Sequence, residues 1–94
     1  MQQDDSSGLV PLVSHAKAAR LAWQCRRGML ELDLALQSFL DHHYDGATAD
    51  ERHAFETLLS YPDHLLLEYI MGHMVPSDPI VSHVVARLRA APAA

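Results

Sequence analysis

The sequence contains one cysteine, Cys25, and no long apolar run, and both shortages limit what the chain can be. A single cysteine excludes an internal disulfide and a thiolate metal cluster. Apolar runs are no longer than Leu65–Leu67, whereas a membrane-spanning helix needs roughly 20 apolar residues. Ninety-four residues of which 49% are apolar are typical of one small globular domain, so we predict no membrane insertion.

Motifs of the common catalytic and cofactor-binding sites are also missing. The chain has no Gly-x-Gly-x-x-Gly, no phosphate-binding loop and no Gly-x-Ser-x-Gly. No His-Glu-x-x-His pair occurs among its seven histidines, which are His15, His42, His43, His53, His64, His73 and His83. We therefore predict that the protein is not an enzyme, with no catalytic residue, no stably bound cofactor and no metal. An enzyme using Cys25 or a histidine cluster stays open as an alternative, although we expect Cys25 to be buried in the first helix.

Positive charge is scarce outside the first third of the chain. Residues 1–27 carry four basic and two acidic side chains, and residues 28–94 carry three basic and ten acidic ones. This asymmetry favours an oriented protein partner, although a merely solvated helix surface would also account for it. A nucleic-acid-binding protein is more often basic overall, so we predict no nucleic-acid partner.

Strand-type alternation is absent, and apolar residues recur at helical spacing from Ser14 onward. The pattern predicts an all-α fold, a compact antiparallel five-helix bundle. We expect a disordered leader over residues 1–13, one helical domain over 14–90 and a tail over 91–94. The leader lacks the features of a secretory or mitochondrial targeting segment, so we expect a bacterial cytoplasmic protein.

Helix ends and inward faces follow from caps and periodicity. Ser14 caps the first helix, which runs to about Arg27. Thr48 and Glu51 form a capping box for the third helix, and Ser77 caps the fifth. The second helix runs from after Gly28 to about Tyr44, and the fourth from Pro62 to near Gly72. The residues predicted to face inward are Ala18, Leu21, Ala22 and Cys25; Met29, Leu32, Leu36, Phe39, Leu40 and His43; Ala54, Phe55, Leu58 and Leu59; Leu65, Leu66, Tyr69 and Ile70; and Ile80, Val81, Val84, Val85 and Leu88.

The junction of the first two helices carries an unusual combination of residues. Arg26, Arg27 and Gly28 end one helical pattern, and Glu31 lies at the start of the next. Glycine supplies the positive φ of a sharp turn, and each charge is also favoured by the helix dipoles, so a plain helix junction is one interpretation. It does not explain an outward-facing Trp23 beside arginine, a composition typical of interface hot spots. We therefore predict a binding surface here.

At these residues the chain resembles the flavinylation factors of succinate dehydrogenase, called SdhE in bacteria and succinate dehydrogenase assembly factor 2 in mitochondria. The family motif Arg-Gly-x-x-Glu is matched by Arg27, Gly28 and Glu31. Arg20, Trp23, Arg26 and Leu32-Asp33 match around it, as do Phe39-Leu40-Asp41-His42-His43-Tyr44-Asp45 and Leu58-Leu59-Ser60-Tyr61-Pro62-Asp63. The likeness covers about residues 15–89.

The resemblance implies a factor that promotes covalent attachment of FAD to the flavoprotein subunit of succinate dehydrogenase, and in some bacteria of fumarate reductase. In that chemistry a histidine of the flavoprotein attacks the flavin 8α-methyl carbon, and the factor supplies no nucleophile. It would act as a monomer that favours the aligned conformation of its partner. A small helical interaction regulator, antitoxin-like and without a role in flavin attachment, is the alternative.

The roles implied for this segment are those of a partner-binding surface. Gly28 would allow close approach of the partner backbone, so that any side chain there should clash. Arg27 would donate forked hydrogen bonds to the partner, and Glu31 would accept from the partner or hold Arg27 in place. Trp23 and Arg20 would extend the surface along the first helix, with Arg26 and Asp33 at its rim.

Overall fold

The structure is a computed structural model that describes residues 15–90, apart from the side chain of His15. Five helices follow one another: α1 (His15–Gln24), α2 (Leu30–His42), α3 (Ala49–Leu59), α4 (Asp63–Ile70) and α5 (Pro79–Arg89). No strand occurs within residues 15–90, so the all-α prediction is confirmed. The expected leader over 1–13, the Ser14 cap and the tail over 91–94 lie outside the described residues.

Two helix starts show how side chains set the boundaries. The predicted capping box of α3 is confirmed: Thr48 Oγ1 accepts from the Glu51 N–H at 3.1 Å, and Glu51 Oε1 accepts from the Thr48 N–H at 3.0 Å. The predicted Ser77 cap of α5 is wrong. Asp78 caps this helix, and its Oδ1 accepts from the N–H of Ile80 at 2.8 Å. Proline suits the first helical position because it needs no hydrogen-bond acceptor there, and this moves the cap to the residue directly before Pro79.

The core is built around α5, which packs against α2, α3 and α4. Phe39 of α2 and Phe55 of α3 stack at its centre with ring centroids 4.6 Å apart. The buried apolar residues are Leu21, Cys25, Leu32, Ala35, Leu36, Phe39, Tyr44, Ala54, Phe55, Leu58, Leu59, Leu66, Val81, Val84, Val85 and Leu88. The burial predicted for α3 is confirmed in full.

The inward faces of the other helices are narrower than predicted. Ala18 and Ile80 are exposed, and Ala22, His43 and Leu65 are half-buried. Met29, Leu40, Tyr69 and Ile70 are also half-buried, but they pack against the core as predicted. For α1 and α4 the reason lies in the length of the helix: α1 has ten residues and buries Leu21, with Cys25 buried just after its end, and α4 has eight residues and fully buries Leu66. A short helix at the edge of a small domain covers less of its circumference than its periodicity suggests.

A candidate partner-binding surface at the α1–α2 turn

The chain reverses sharply between α1 and α2, and one carboxylate fixes the geometry of the turn. Asp33 Oδ1 accepts from the backbone N–H of Arg27 at 2.8 Å and of Met29 at 3.4 Å, and its Oδ2 accepts from the Gly28 N–H at 3.2 Å. Gly28 has a φ of +77°, which L side chains rarely adopt. Since these N–H groups belong to the turn, α1 ends at Gln24 rather than continuing to Arg27 as predicted.

The Arg27 guanidinium joins this turn to the α3–α4 turn. Its Nε donates to the Gln24 carbonyl at 2.7 Å, and its Nη2 donates to the Leu59 carbonyl. Its Nη1 donates to the Tyr61 carbonyl at 3.0 Å and to Asp63 Oδ1 at 2.8 Å. Gln24 and Leu59 end α1 and α3, so one cation serves the negative ends of two helices. We call Arg27 and these four acceptors the Arg27 clamp.

The segments just before and after this turn carry exposed apolar side chains that are not part of the core. The Trp23 side chain is 70% exposed, and the Arg26 guanidinium lies over its ring at 5.2 Å from the centroid. Leu30, the first residue of α2, is 73% exposed, and Leu34 one turn further on is 38% exposed. Apolar and aromatic side chains beside an arginine have the composition of a protein–protein hot spot.

The predicted site residues divide into two groups. Arg20, Trp23, Arg26, Gly28 and Glu31 are exposed and available to a partner. Arg27 and Asp33, by contrast, are partly buried and bonded within the chain. Glu31 was expected either to meet the partner or to hold Arg27, and no hydrogen bond or ion pair joins it to Arg27 within the described residues. Asp63 takes that holding role instead.

Sequence reasoning missed three contributors to this region. Leu30 and Leu34 fall off the buried Leu32–Leu36 stripe of α2, and that spacing was the available signal for them. Asp63 carried no comparable signal, because its contact with Arg27 spans 36 positions of sequence. The surface therefore contains more exposed apolar side chains than the motif alone indicates, and Arg27 is more buried.

Gly28 can be assigned a specific constraint. A Cβ built on it would meet no atom within 4 Å, so the space around it is open in this chain. A side chain at this position is disfavoured by the positive φ. A bound partner that lies against the turn would disfavour it further.

Cys25, the residue considered as a nucleophile, is unsuited to that role. Cys25 is buried, and desolvation raises the pKa of its thiol to about 12 despite the nearby positive charge of Arg27. A thiol in this state is not a nucleophile at neutral pH. Among residues 15–90 no group of three or more histidine, cysteine or carboxylate side chains is arranged to hold a metal ion. None of the helices described is both long and apolar enough to cross a membrane.

Comparison with known proteins assigns this chain to a family. Residues 19–92 match the Sdh5 family, described as the flavinator of succinate dehydrogenase. Among curated relatives, a protein of Legionella pneumophila is 40% identical over 72 residues, covering 77% of this chain and 91% of the relative. One of Shewanella oneidensis is 41% identical over 71 residues, 76% of this chain and 87% of the relative.

A third relative, from Coxiella burnetii, is 34% identical over 70 residues, which is 74% of this chain and 85% of the relative. All three are named FAD assembly factor SdhE. The matched region contains the α1–α2 turn and every exposed residue of the candidate surface, so the resemblance noted in the sequence is confirmed. The chain belongs to the family of succinate dehydrogenase flavinators.

Proposed function

We propose that this protein binds the flavoprotein subunit of succinate dehydrogenase and promotes covalent attachment of FAD to that subunit. Membership of the flavinator family supports the role in FAD attachment, and the exposed surface at the α1–α2 turn supports binding to the subunit. The observation that carries the proposal is Trp23, which is 70% exposed and stacked by Arg26 beside the motif. An exposed tryptophan paired with an arginine has the composition of an interface hot spot, and this favours a protein partner.

The proposed contact residues are the exposed members of the predicted site. Trp23 and Leu30 would fill apolar pockets of the partner, and Arg26 would keep its place over the indole ring. Arg20 and Glu31 would form the charged rim, where they contribute more to orientation and association rate than to affinity. Gly28 would lie against the partner backbone.

The protein would contribute position rather than chemistry. Its one thiol is buried and neutral, so the reacting groups would belong to the flavoprotein and its FAD. If the factor binds the aligned conformation of the flavoprotein more tightly than the other conformations, it raises the population of the aligned one. The reaction is then accelerated at most by the ratio of the two affinities. Orientation of reacting groups is worth up to about 7–11 kcal/mol. We propose accordingly that the protein is not an enzyme, holds no stable cofactor and acts as a cytoplasmic monomer.

The test is covalent flavin on the flavoprotein subunit, measured as in-gel fluorescence after denaturation. The subunit is expressed in a host that lacks its own flavinator, with the native chain, with Gly28→Arg, with Gly46→Arg or with no factor. Gly46 is an exposed glycine with open space around its Cβ position and no positive φ, so it is the matched control for adding a large cation. The same strains carrying a fumarate reductase flavoprotein test whether that subunit is also served.

We expect flavinylation with the native chain and with Gly46→Arg, and little with Gly28→Arg or without a factor. Melting of Gly28→Arg by circular dichroism shows whether the variant is folded at the assay temperature. Flavin attachment that is equally complete without the factor would overturn the proposal and favour the helical regulator. Equal rescue by folded Gly28→Arg would place the binding surface elsewhere.

A further inference from the structure

The Arg27 side chain has little capacity left for a partner. A guanidinium has five N–H donors, and Arg27 makes four hydrogen bonds within the chain. Its side chain is only 13% exposed, whereas Asp63, its carboxylate partner, is 43% exposed. A residue so placed would have to break its own contacts before it donated to a partner, and each broken bond would offset part of the affinity gained.

The same contacts determine the positions of the exposed side chains of Trp23 and Arg26. Trp23 lies one residue before Gln24, whose carbonyl accepts from Arg27, and Arg26 and Gly28 flank Arg27 directly. The other end of the clamp lies on the carbonyls of Leu59 and Tyr61, which belong to the end of α3 and the turn after it. The turn that follows Trp23 is therefore anchored to a second turn more than 30 positions away in sequence.

Few other contacts join this turn to α3 and α4, since the Asp33 hydrogen bonds fix the turn only against α2. The α1 helix buries Leu21 in the core, followed by Cys25 just after the helix end. Near its beginning, Lys17 Nζ lies 3.1 Å from Glu56 Oε2 of α3, which holds the opposite end of the helix. At the end that carries Trp23, the clamp supplies the polar contacts to α3 and α4.

We propose that Arg27 and Asp63 are positioning residues for partner binding. They hold the α1–α2 turn in the geometry in which Trp23 and Arg26 meet the flavoprotein, and they do not themselves form the contact. This inference rests on the proposed function, since it specifies how the same surface is prepared. Preorganisation of this kind increases affinity because the free protein has already paid the entropy of ordering.

A double-mutant cycle on binding tests the proposal. The dissociation constant for the flavoprotein subunit is measured by isothermal titration calorimetry for the native chain, Arg27→Lys, Asp63→Ala and the double variant. Lysine keeps the charge of Arg27, but its single ammonium group is unable to reach four separated acceptors. We expect each single variant to bind the subunit about tenfold more weakly than the native chain does. The double variant should also bind only about tenfold more weakly, because both changes open the same clamp.

Three controls separate positioning from other effects. Glu68→Ala removes an α4 carboxylate that lies 3.3 Å from His73 and is not part of the clamp, so its effect on binding should be within twofold and additive with Arg27→Lys. Val84→Ala destabilises the core by truncating a fully buried residue of α5, and it should lower the melting temperature without changing the dissociation constant. Trp23→Ala removes a proposed contact and should weaken binding in every background.

The outcomes distinguish this inference from the function on which it rests. A native chain that does not bind the flavoprotein overturns both. Binding that depends on Trp23 but is unchanged by Arg27→Lys and Asp63→Ala overturns the positioning role alone. Fully additive losses for the two clamp residues also overturn it, because they would indicate separate contacts with the partner. If Arg27→Lys is unfolded at the assay temperature, Asp63→Ala with the Val84→Ala control decides the same question.

Discussion

Replacing Arg27 by alanine should cost the protein much of its stability. Three backbone carbonyls and the Asp63 carboxylate lose their donor, and two of the carbonyls lie at the ends of α1 and α3. Hydrogen bonds to charged groups are worth about 1.5–3 kcal/mol each, but water can reach part of the vacated site. We therefore expect a loss of about 2–4 kcal/mol in the free energy of unfolding, well below the sum over four bonds.

The neighbouring arginine is the natural control for this change. Arg26 is exposed and its guanidinium lies over Trp23, so Arg26→Ala should change the free energy of unfolding by no more than about 0.5 kcal/mol. In a domain of this size, each 1 kcal/mol shifts the melting temperature by about 4–8 °C. Thermal melts followed by circular dichroism should thus separate the two alanine variants by about 6 °C or more. Equal melting temperatures for the two variants would refute the clamp.

Three further predictions concern the surface and the pH range of the fold. Trp23→Ala should weaken binding to the flavoprotein about thirtyfold, as hot-spot residues do, while its melting temperature stays native; a calorimetric dissociation constant within threefold of native would contradict this. Gly28→Ala should cost about 1 kcal/mol because of its positive φ, and Gly28→Asn less, whereas Gly46→Ala should cost nothing; urea midpoints that rank otherwise would contradict it. Burial alone would raise the pKa of Glu56, but hydrogen bonds from Tyr44 and Lys17 outweigh it and hold the pKa below its ordinary value. The ionised form is therefore stabilised by folding, so stability should fall as the pH drops from about 5 through the lowered pKa, and Glu56→Gln should flatten that slope of urea midpoint against pH.

The helical fold could be predicted from the sequence because its signals are local. The capping box at Thr48 and the spacing of the apolar residues in α3 depend on neighbours within one or two turns, and both were predicted correctly. The errors arise where another part of the chain decides. Pro79 moves the α5 cap from Ser77 to Asp78, and the short α1 leaves Ala18 exposed because it packs at the edge of the domain.

The candidate site shows the same division between local and distant determinants. The exposure of Trp23 and the turn at Gly28 follow from periodicity and from backbone conformation, and the structure has both. The internal bonding of Arg27 does not follow from sequence, since its acceptors at Leu59, Tyr61 and Asp63 lie at least 32 positions away. The motif therefore predicts where a partner-binding surface would lie, but not which of its residues are bonded within the chain.

The location of the partner-binding surface is most directly measured by hydrogen–deuterium exchange of this chain, free and bound to the flavoprotein subunit. The described residues offer two exposed apolar regions for comparison: Trp23, Leu30 and Leu34 at the α1–α2 turn, and Met71, Met74 and Val75 after α4. Our account predicts that binding slows exchange over residues 20–34 and leaves residues 71–80 unchanged. Protection over residues 71–80, with native exchange at the α1–α2 turn, would contradict it.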